Sequence, residues 1–541
     1  MVFLLSASLE SACARLISPS SFNPASRSLP PYSLTLIKLR KSHLGNSSKL
    51  DCTRFGVGSP FSFLSMLRSL FKDTAIYGLS SIIGRFLNYL LVPLYTHQIT
   101  AASGGYGVIT EVYSYVAVLF VLLTFGMETT FFRFANKEGA DVPKVYSTVL
   151  LLVGGVGLSF VAIVTIFLDS IAGFMGYATH PEYIWMMATC VAIDAFQSIP
   201  FGYLRLQKKA MKFASLKLLF IVLNIAANLA YFVALPHWFD YTFEVGYVFG
   251  INLACTALIT LFFYKELTGF RYTFDRKMLR PMLNYGMPIL VLGIAGILNQ
   301  TADKMIFPHL VEGAEGRTQL GIYGACVKIA MIMAMITQAF RYAYEPIVFA
   351  KGGAQDMGKA MKFFLIFTLL AFLMVVGYTD ILKFIIAPDY WDGLRVVPIV
   401  MVAEIMMGVA FNLSFWYKLI DKTMWGLWIS LAGCVVLVTI NILFIPTYGY
   451  MACAWAGVAG YGTSMLLSYF LGQKYNPTNY PLKEIGTYVA MTALFFIGMH
   501  YSAQFIEELW LRLLVNTGLI GAYGAHVVYH EFLKKRKSRT S

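Results

Sequence analysis

Charge is what this sequence has least of. Asp, Glu, Lys and Arg make up 13% of its 541 residues, where a soluble domain carries about 25% to keep its surface wetted. With 58% of the chain hydrophobic, lipid must serve as solvent for much of its surface. Acid is scarcer than base, and the formal net charge is +14. Such an excess could suit nucleic acid, but the basic residues fall in short clusters between apolar runs, so no nucleic-acid partner is expected. A cysteine framework is missing too. The seven cysteines show no CxxC spacing; Cys190, Cys255, Cys326, Cys434 and Cys453 lie in apolar segments, where a thiol behaves as a small hydrophobe, and Cys13 and Cys52 lie near the N-terminus. The histidines are dispersed, mostly at helix ends, and form no ligand cluster. Neither metal nor cofactor is expected. Alternation of period two is absent, which makes a β-barrel a poor alternative.

What is present is a series of apolar runs of about 20 residues, the length a helix needs to cross the hydrocarbon core. They lie near 74–96, 107–128, 147–170, 182–203, 214–235, 243–264, 284–309, 320–341, 362–379, 396–416, 424–445, 450–472, 484–502 and 510–529. The expectation is an all-α membrane protein with fourteen transmembrane helices. Residues 1–65 differ: rich in Ser and Pro, with seven Arg and Lys against Glu10 and Asp51, they resemble an organellar transit peptide. We read them instead as a disordered extension or as sequence upstream of a start at Met66, because the apolar run from Val2 to Leu5 is too short for a signal peptide.

The connections orient the helices. Even-numbered ones carry Arg133, Lys137 and Lys144, then Arg205, Lys208, Lys209 and Lys212, then Lys265, Arg271, Arg276, Lys277 and Arg280, and the pattern continues through Arg341, Lys351, Lys359, Lys418, Lys422, Lys474 and Lys483. Odd-numbered connections contain only Arg317, Lys383 and Arg395. This alternation predicts that both termini are cytoplasmic.

The chain also repeats itself. Gly104-Gly105-Tyr106-Gly107 opens helix two and Gly321-Ile322-Tyr323-Gly324 opens helix eight; 22 residues after each tyrosine comes a glutamate, Glu128 or Glu345. Repeats six helices apart share orientation, so two parallel six-helix lobes are expected, followed by two C-terminal helices. The implied divisions are an N-lobe at 66–264, a cytoplasmic linker at 265–280, a C-lobe at 281–473, the last helix pair at 474–530 and a basic tail at 531–541.

Particular residues carry a family resemblance. Tyr77-Gly78-Leu79, Gly84-Arg85-Phe86-Leu87-Asn88, Val92-Pro93-Leu94-Tyr95, Tyr106-Gly107, Gly126-Met127-Glu128-Thr129 and Phe132-Arg133-Phe134 look like the N-terminal signature of polysaccharide exporters. These are the Wzx-type flippases of the MOP superfamily, which also holds MATE efflux pumps and lipid II flippases. Asp303-Lys304-Met305-Ile306, Gly321-Ile322-Tyr323-Gly324 and Lys328 are similar to the second-lobe pattern. The resemblance, over about residues 66–530, implies a bacterial inner-membrane protein that flips an undecaprenyl-diphosphate oligosaccharide for surface polysaccharide. It also implies membrane lipids and other polysaccharide assembly proteins as partners. A MATE-like efflux of organic cations coupled to Na⁺ or H⁺ is the alternative. A membrane polymerase or ligase is disfavoured, since the outer connections are short and carry no catalytic constellation, so the chain is not expected to be an enzyme.

An ionisable group at membrane depth costs about 2.5–3.5 kcal/mol on insertion scales, so it faces a watery cavity or a partner. Arg85, Lys304 and Lys328 are read as cavity cations for the diphosphate. For Arg85 the structural alternative is a packing contact with a neighbouring helix; for Lys328 it is an ion pair with Asp303. Asp194, Asp303 and Glu404 could balance charge or bind a coupling H⁺ or Na⁺. Glu128, Arg133, Arg341 and Glu345 could form a cytoplasmic gate or interfacial salt bridges; recurrence in both repeats favours the salt bridges.

Overall fold

The computed structural model describes residues 89–238, 243–349, 357–420 and 422–534. All regular structure among them is helical, as hydrocarbon requires of a chain that must pair its own backbone polar groups within each segment. The first half runs through α1 (Leu91–Gln98), α2 (Gly105–Thr124), α3 (Met127–Ala135), α4 (Val142–Ile166), α5 (Pro181–Leu206), α6 (Ala210–Leu229) and α7 (Gly246–Leu261). The second half contains α8 (Arg276–Leu310), α9 (Gly313–Ala330), α10 (Ile332–Phe349), α11 (Met357–Gly377), α12 (Val397–Leu413), α13 (Met424–Tyr448) and α14 (Tyr450–Tyr475). Then come α15 (Leu482–Phe505) and α16 (Leu509–Val527). The protein is an all-α, multi-pass membrane protein.

Among the described residues, nine helices are long and apolar enough to cross a membrane, or ten if α9 and the first part of α10, bent by 42°, form one span. Fourteen would also require the run at 74–96, of which residues 74–88 lie outside the described residues, together with α7, α14 and α16. The 16 residues of α7 are short for a span. Helix α14 is long enough, but its many Gly, Ala, Ser and Tyr residues lower its hydropathy. It needs less lipid-facing surface because it packs between α12 and α13. Small residues permit that packing: a Cβ on Gly460 would lie 2.9 Å from the Gly433 carbonyl oxygen of α13, a backbone approach open only to glycine.

Helix two is broken rather than continuous. Phe125 (φ 30°) and Gly126 (φ 70°) are both left-handed, and the chain restarts as α3, whose first turn docks on α8. Gly126 and Gly286 meet there: a Cβ on Gly126 would lie 2.9 Å from the Gly286 carbonyl oxygen. The expected linker 265–280 is partly helical, since Tyr264–Thr268 forms a turn and α8 begins at Arg276. Its extended piece is pinned to the start of α4. The Thr273 and Asp275 amides donate to the Ser147 and Thr148 hydroxyls at 2.8 and 3.2 Å, and Lys144 pairs with Asp275 at 2.8 Å.

At the end away from the basic connections, α2 and α9 cross with their glycines in contact. A Cβ on Gly321 would lie 3.0 Å from the Gly107 amide nitrogen, and one on Gly104 would lie 2.9 Å from the Arg317 Cβ. The repeat motif is therefore one place where the two halves touch. The extension 1–65 and residues 535–541 of the expected tail lie outside the described residues. Val528–Lys534 continues α16 as a π-helical turn, and Glu531 within it is buried.

Candidate functional site

Below the glycine crossing, α2 faces the second half across a cavity of about 530 Å³. Helix α2 lines it with Tyr106, Thr110, Tyr113 and Ser114, residues whose spacing puts them on one helix face. The opposite wall is charged. Helix α8 contributes Asp303 and Lys304, α9 Lys328, α10 Arg341 and α12 Glu404. Three basic and two acidic side chains thus line the space among the described residues.

These charges are not equivalent. Asp303 is buried and already satisfied: Lys304 Nζ lies 3.0 Å from both of its carboxylate oxygens, and Tyr323 donates its hydroxyl at 2.8 Å. Lys304 also donates to the Gln300 carbonyl at 3.0 Å. Asn299, one turn earlier, donates to the Ser430 carbonyl at 3.0 Å, and its own carbonyl accepts from the Tyr461 hydroxyl at 2.8 Å. The polar stripe of α8 is therefore anchored to α9, α13 and α14 while it faces the cavity. Lys328 does not pair with Asp303, and among the described residues it makes no hydrogen bond or ion pair.

Asp194 lies elsewhere. It lines a separate cleft of about 360 Å³ inside the first half, with Gln197, Arg205, Glu128 and Lys217. Glu404 and Asp194, although on corresponding helices, face different spaces. At the basic end Glu128 pairs with Arg205 at 2.6 Å, while the Arg133 guanidinium sits 4.0 Å from the Tyr285 ring. Glu345 pairs with Lys418 at 3.3 Å and with Arg341 at 3.6 Å. In both repeats the glutamate after the motif thus binds a cation at the basic end of the helix two spans on, within its own half. Arg85 lies outside the described residues.

Helix α12 has a second face. Opposite the cavity, its Ile399, Val402, Met406 and Val409 line an apolar groove of about 720 Å³ shared with α11, α14 and α15. From Pro398 to Leu413 the groove follows α12 for about 22 Å at 1.5 Å per residue, most of the hydrocarbon thickness.

Among the charged residues that went unread in the sequence are Glu111 in α2, Lys217 in α6 and Lys362 in α11. Glu111 and Lys217 are single charges inside apolar runs, the signal that marked Arg85. Lys362 opens its run and reads as an end residue, yet it is buried between Glu531 and Glu484.

Residues 70–347, just over half of the chain, match the model of a family described as polysaccharide biosynthesis protein. No curated protein matches the chain in sequence. Among solved structures, the lipid II flippase MurJ in an inward closed conformation is similar with a TM-score of 0.68 at 14% identity, over 84% of this chain and 99% of that one. An inward-facing multidrug resistance MATE family transporter of the MOP superfamily follows at 0.58 and 16%, over 72% and 94%. The MATE multidrug transporter DinF-BH gives 0.55 and 15%, over 79% and 98%. At such identities the likeness is one of fold.

Proposed function

The chain belongs to the polysaccharide biosynthesis protein family, and on that footing we propose that it flips a lipid-linked (undecaprenyl-diphosphate) oligosaccharide across a bacterial inner membrane by alternating access. It carries out transport and no bond-making chemistry. The observation that carries this reading is Lys328, an ammonium that lines a membrane-depth cavity and makes no ion pair among the described residues. An unpaired charge there is costly, and a diphosphate offsets the cost by charge-assisted hydrogen bonds. Arg341, nearer the basic end, supplies a second cation along the entry route, and Arg85 belongs to the same role.

Helix α12 extends the argument to the lipid. It separates a polar cavity from an apolar groove, which suits a substrate with an anionic headgroup and a long hydrocarbon chain. Binding of purified protein to undecaprenyl-diphosphate saccharides tests the reading. Wild-type protein should bind and the Lys328→Ala variant should bind at least tenfold more weakly; equal binding by both would remove the basis of the proposal.

One observation favours MATE-like efflux of an organic cation as a second reading. Glu404 faces the same cavity and makes no hydrogen bond or ion pair among the described residues. In the flippase reading Glu404, with Asp303 and Asp194, balances charge or takes a coupling H⁺ or Na⁺. Binding of the lipid-linked saccharide that is weakened in Lys328→Ala but not in Glu404→Gln favours the flippase, whereas binding of an organic cation that is lost in Glu404→Gln favours efflux.

A further inference from the structure

Three basic residues stand in connections at the end away from the basic loops, and each has a partner. Lys383 pairs with Asp380 at 3.4 Å, and Arg395 donates to the Tyr450 hydroxyl at 3.0 Å. Both of those contacts stay within the second half. Arg317 alone reaches across. From the first turns of α9 its Nη2 donates to the Gly176 carbonyl at 2.6 Å, in the connection between α4 and α5 of the first half. Its guanidinium also lies 4.8 Å from the centre of the Tyr177 ring. The same ring is fixed from below, because the Tyr177 hydroxyl donates to Glu111 Oε2 of α2 at 2.6 Å.

We infer that Arg317 is a clasp that holds the far-side entrance of the cavity shut, with Tyr177 as its seat and Glu111 as the group that positions the seat. The chemistry favours a contact that can open. A guanidinium on one backbone carbonyl and one aromatic face makes a strong but single-point attachment. Both partners regain hydration when the halves part. The glycine crossing beside it, where Gly104 and Gly107 press against Arg317 and Gly321, has no side chains to interlock. Directional hold between the halves here is shared by Arg317 and by Tyr390, whose hydroxyl donates to the Ile99 carbonyl at 2.7 Å, and Arg317 supplies its charged part. Glu111 is buried, and among the described residues its second oxygen has no hydrogen-bond partner. By accepting from the Tyr177 hydroxyl it fixes the ring on which Arg317 rests, a positioning role.

The inference rests on the alternating-access reading, but its test needs no substrate. Ser114 lines the cavity from α2. In a variant whose native cysteines are replaced, Ser114→Cys is exposed to a membrane-impermeant maleimide added on the side away from the basic loops. Arg317→Ala should raise the labelling rate about tenfold, the order expected for loss of one charge-assisted hydrogen bond. Arg317→Lys, which can reach the carbonyl but cannot stack flat, should fall between. Glu111→Gln should raise labelling less than Arg317→Ala. Thr318→Val removes a 3.5 Å contact to the Ala102 carbonyl, leaves Arg317 in place and should label like the parent. Labelling of Arg317→Ala at the parental rate would overturn the clasp, as would an equal rise in Thr318→Val. Faster labelling in a protein that binds no lipid-linked saccharide keeps the clasp and removes the flippase reading.

Discussion

Gly321 of α9 rests against Gly107 of α2 so closely that a Cβ on Gly321 would lie 3.0 Å from the Gly107 amide nitrogen. The two residues belong to the two copies of one sequence motif. Copies related by an axis along the membrane normal present the same surface to each other, so a motif that contacts its own copy must lie near that axis. The motif glycines are thus explained by contact between halves. Tyr106 and Tyr323 of the same motifs line the cavity just beneath.

Gly321→Ala should leave a folded protein whose halves no longer close fully on the far side. The neighbour of the added methyl is backbone, which cannot rotate away, and overpacking of this kind costs about 1–3 kcal/mol. Maleimide labelling at Ser114→Cys from the far side should rise, while the amount of protein in the membrane stays near normal. Unchanged labelling would show that the crossing is not the closure.

Lys328 and Lys304 should respond differently to the same truncation. Lys304→Ala strips the ammonium from buried Asp303 and should lower the melting temperature in detergent. Lys328→Ala removes a charge that has no partner among the described residues, so stability should hold or rise. Binding of the lipid-linked saccharide should instead weaken about 10- to 100-fold, the range of one lost hydrogen bond to a charged group. Thermal unfolding and a binding titration on both variants check the contrast.

Much of the fold was legible in the sequence, and for physical reasons. A lipid-facing helix must be apolar for about 20 residues, so α4, α11 and α13 appear directly in the hydropathy. The repeat could be read because its glycines and tyrosines recur at fixed spacing. Partners were harder. Glu128 stands five residues from Arg133, yet it binds Arg205, because α5 brings that guanidinium to the basic end beside it. Asp303 stands next to Lys304 and does pair with it, leaving Lys328 without an ion pair among the described residues. Neighbours in sequence are only candidates; helix packing selects among them. The apolar groove had no signature, since a residue facing a groove and one facing lipid are equally hydrophobic.

Asp275 should make stability depend on acid. The Lys144 ammonium, together with the Lys277 and Met278 amides, holds its carboxyl below the usual carboxylate range. A carboxyl with a lowered folded-state pKa contributes stability that is fully present above its unfolded value, about 3.9, and is lost as pH falls below that. Asp275→Asn keeps an amide oxygen for the α8 cap and removes only the charge. The variant should melt earlier than wild type at pH 7, and the difference should shrink below about pH 4. A difference independent of pH would assign the effect to the cap.

The paired glutamates at the basic end can be tested by comparing stability with transport. Glu128, Arg205, Glu345 and Lys418 are each partly exposed, and such pairs contribute about 0–1 kcal/mol. Glu128→Gln and Glu345→Gln should therefore leave the melting temperature almost unchanged. If they are only interfacial salt bridges, polysaccharide export should also persist. If they gate the basic end, export should fall sharply in a stable protein, and the exchange Glu128→Arg with Arg205→Glu should restore it.

Lys362 sets the order of effects in a buried cluster. Its Nζ lies 2.6 Å from Glu484 and 2.8 Å from Glu531, whose other oxygen accepts from the Tyr488 hydroxyl at 3.1 Å. The lysine side chain is 5% exposed and that of Glu531 3%, but Glu484 is 52% exposed. Removing one member of a buried pair costs about 3–5 kcal/mol, because the other is left charged and dry. Lys362→Ala takes the ammonium from buried Glu531 and from Glu484 at once and should be the most damaging of the three truncations. Glu531→Ala leaves Lys362 with Glu484 and should be milder, and Glu484→Ala should be nearly silent in thermal unfolding. Because the cluster ties α15 and the end of α16 to α11, Lys362→Ala should also loosen the wall of the apolar groove. A stably folded variant should then admit a hydrophobic fluorescent probe more readily than wild type. If all three truncations shift the melting temperature equally, exposure does not govern the cluster, and α15 must be held by its apolar packing alone.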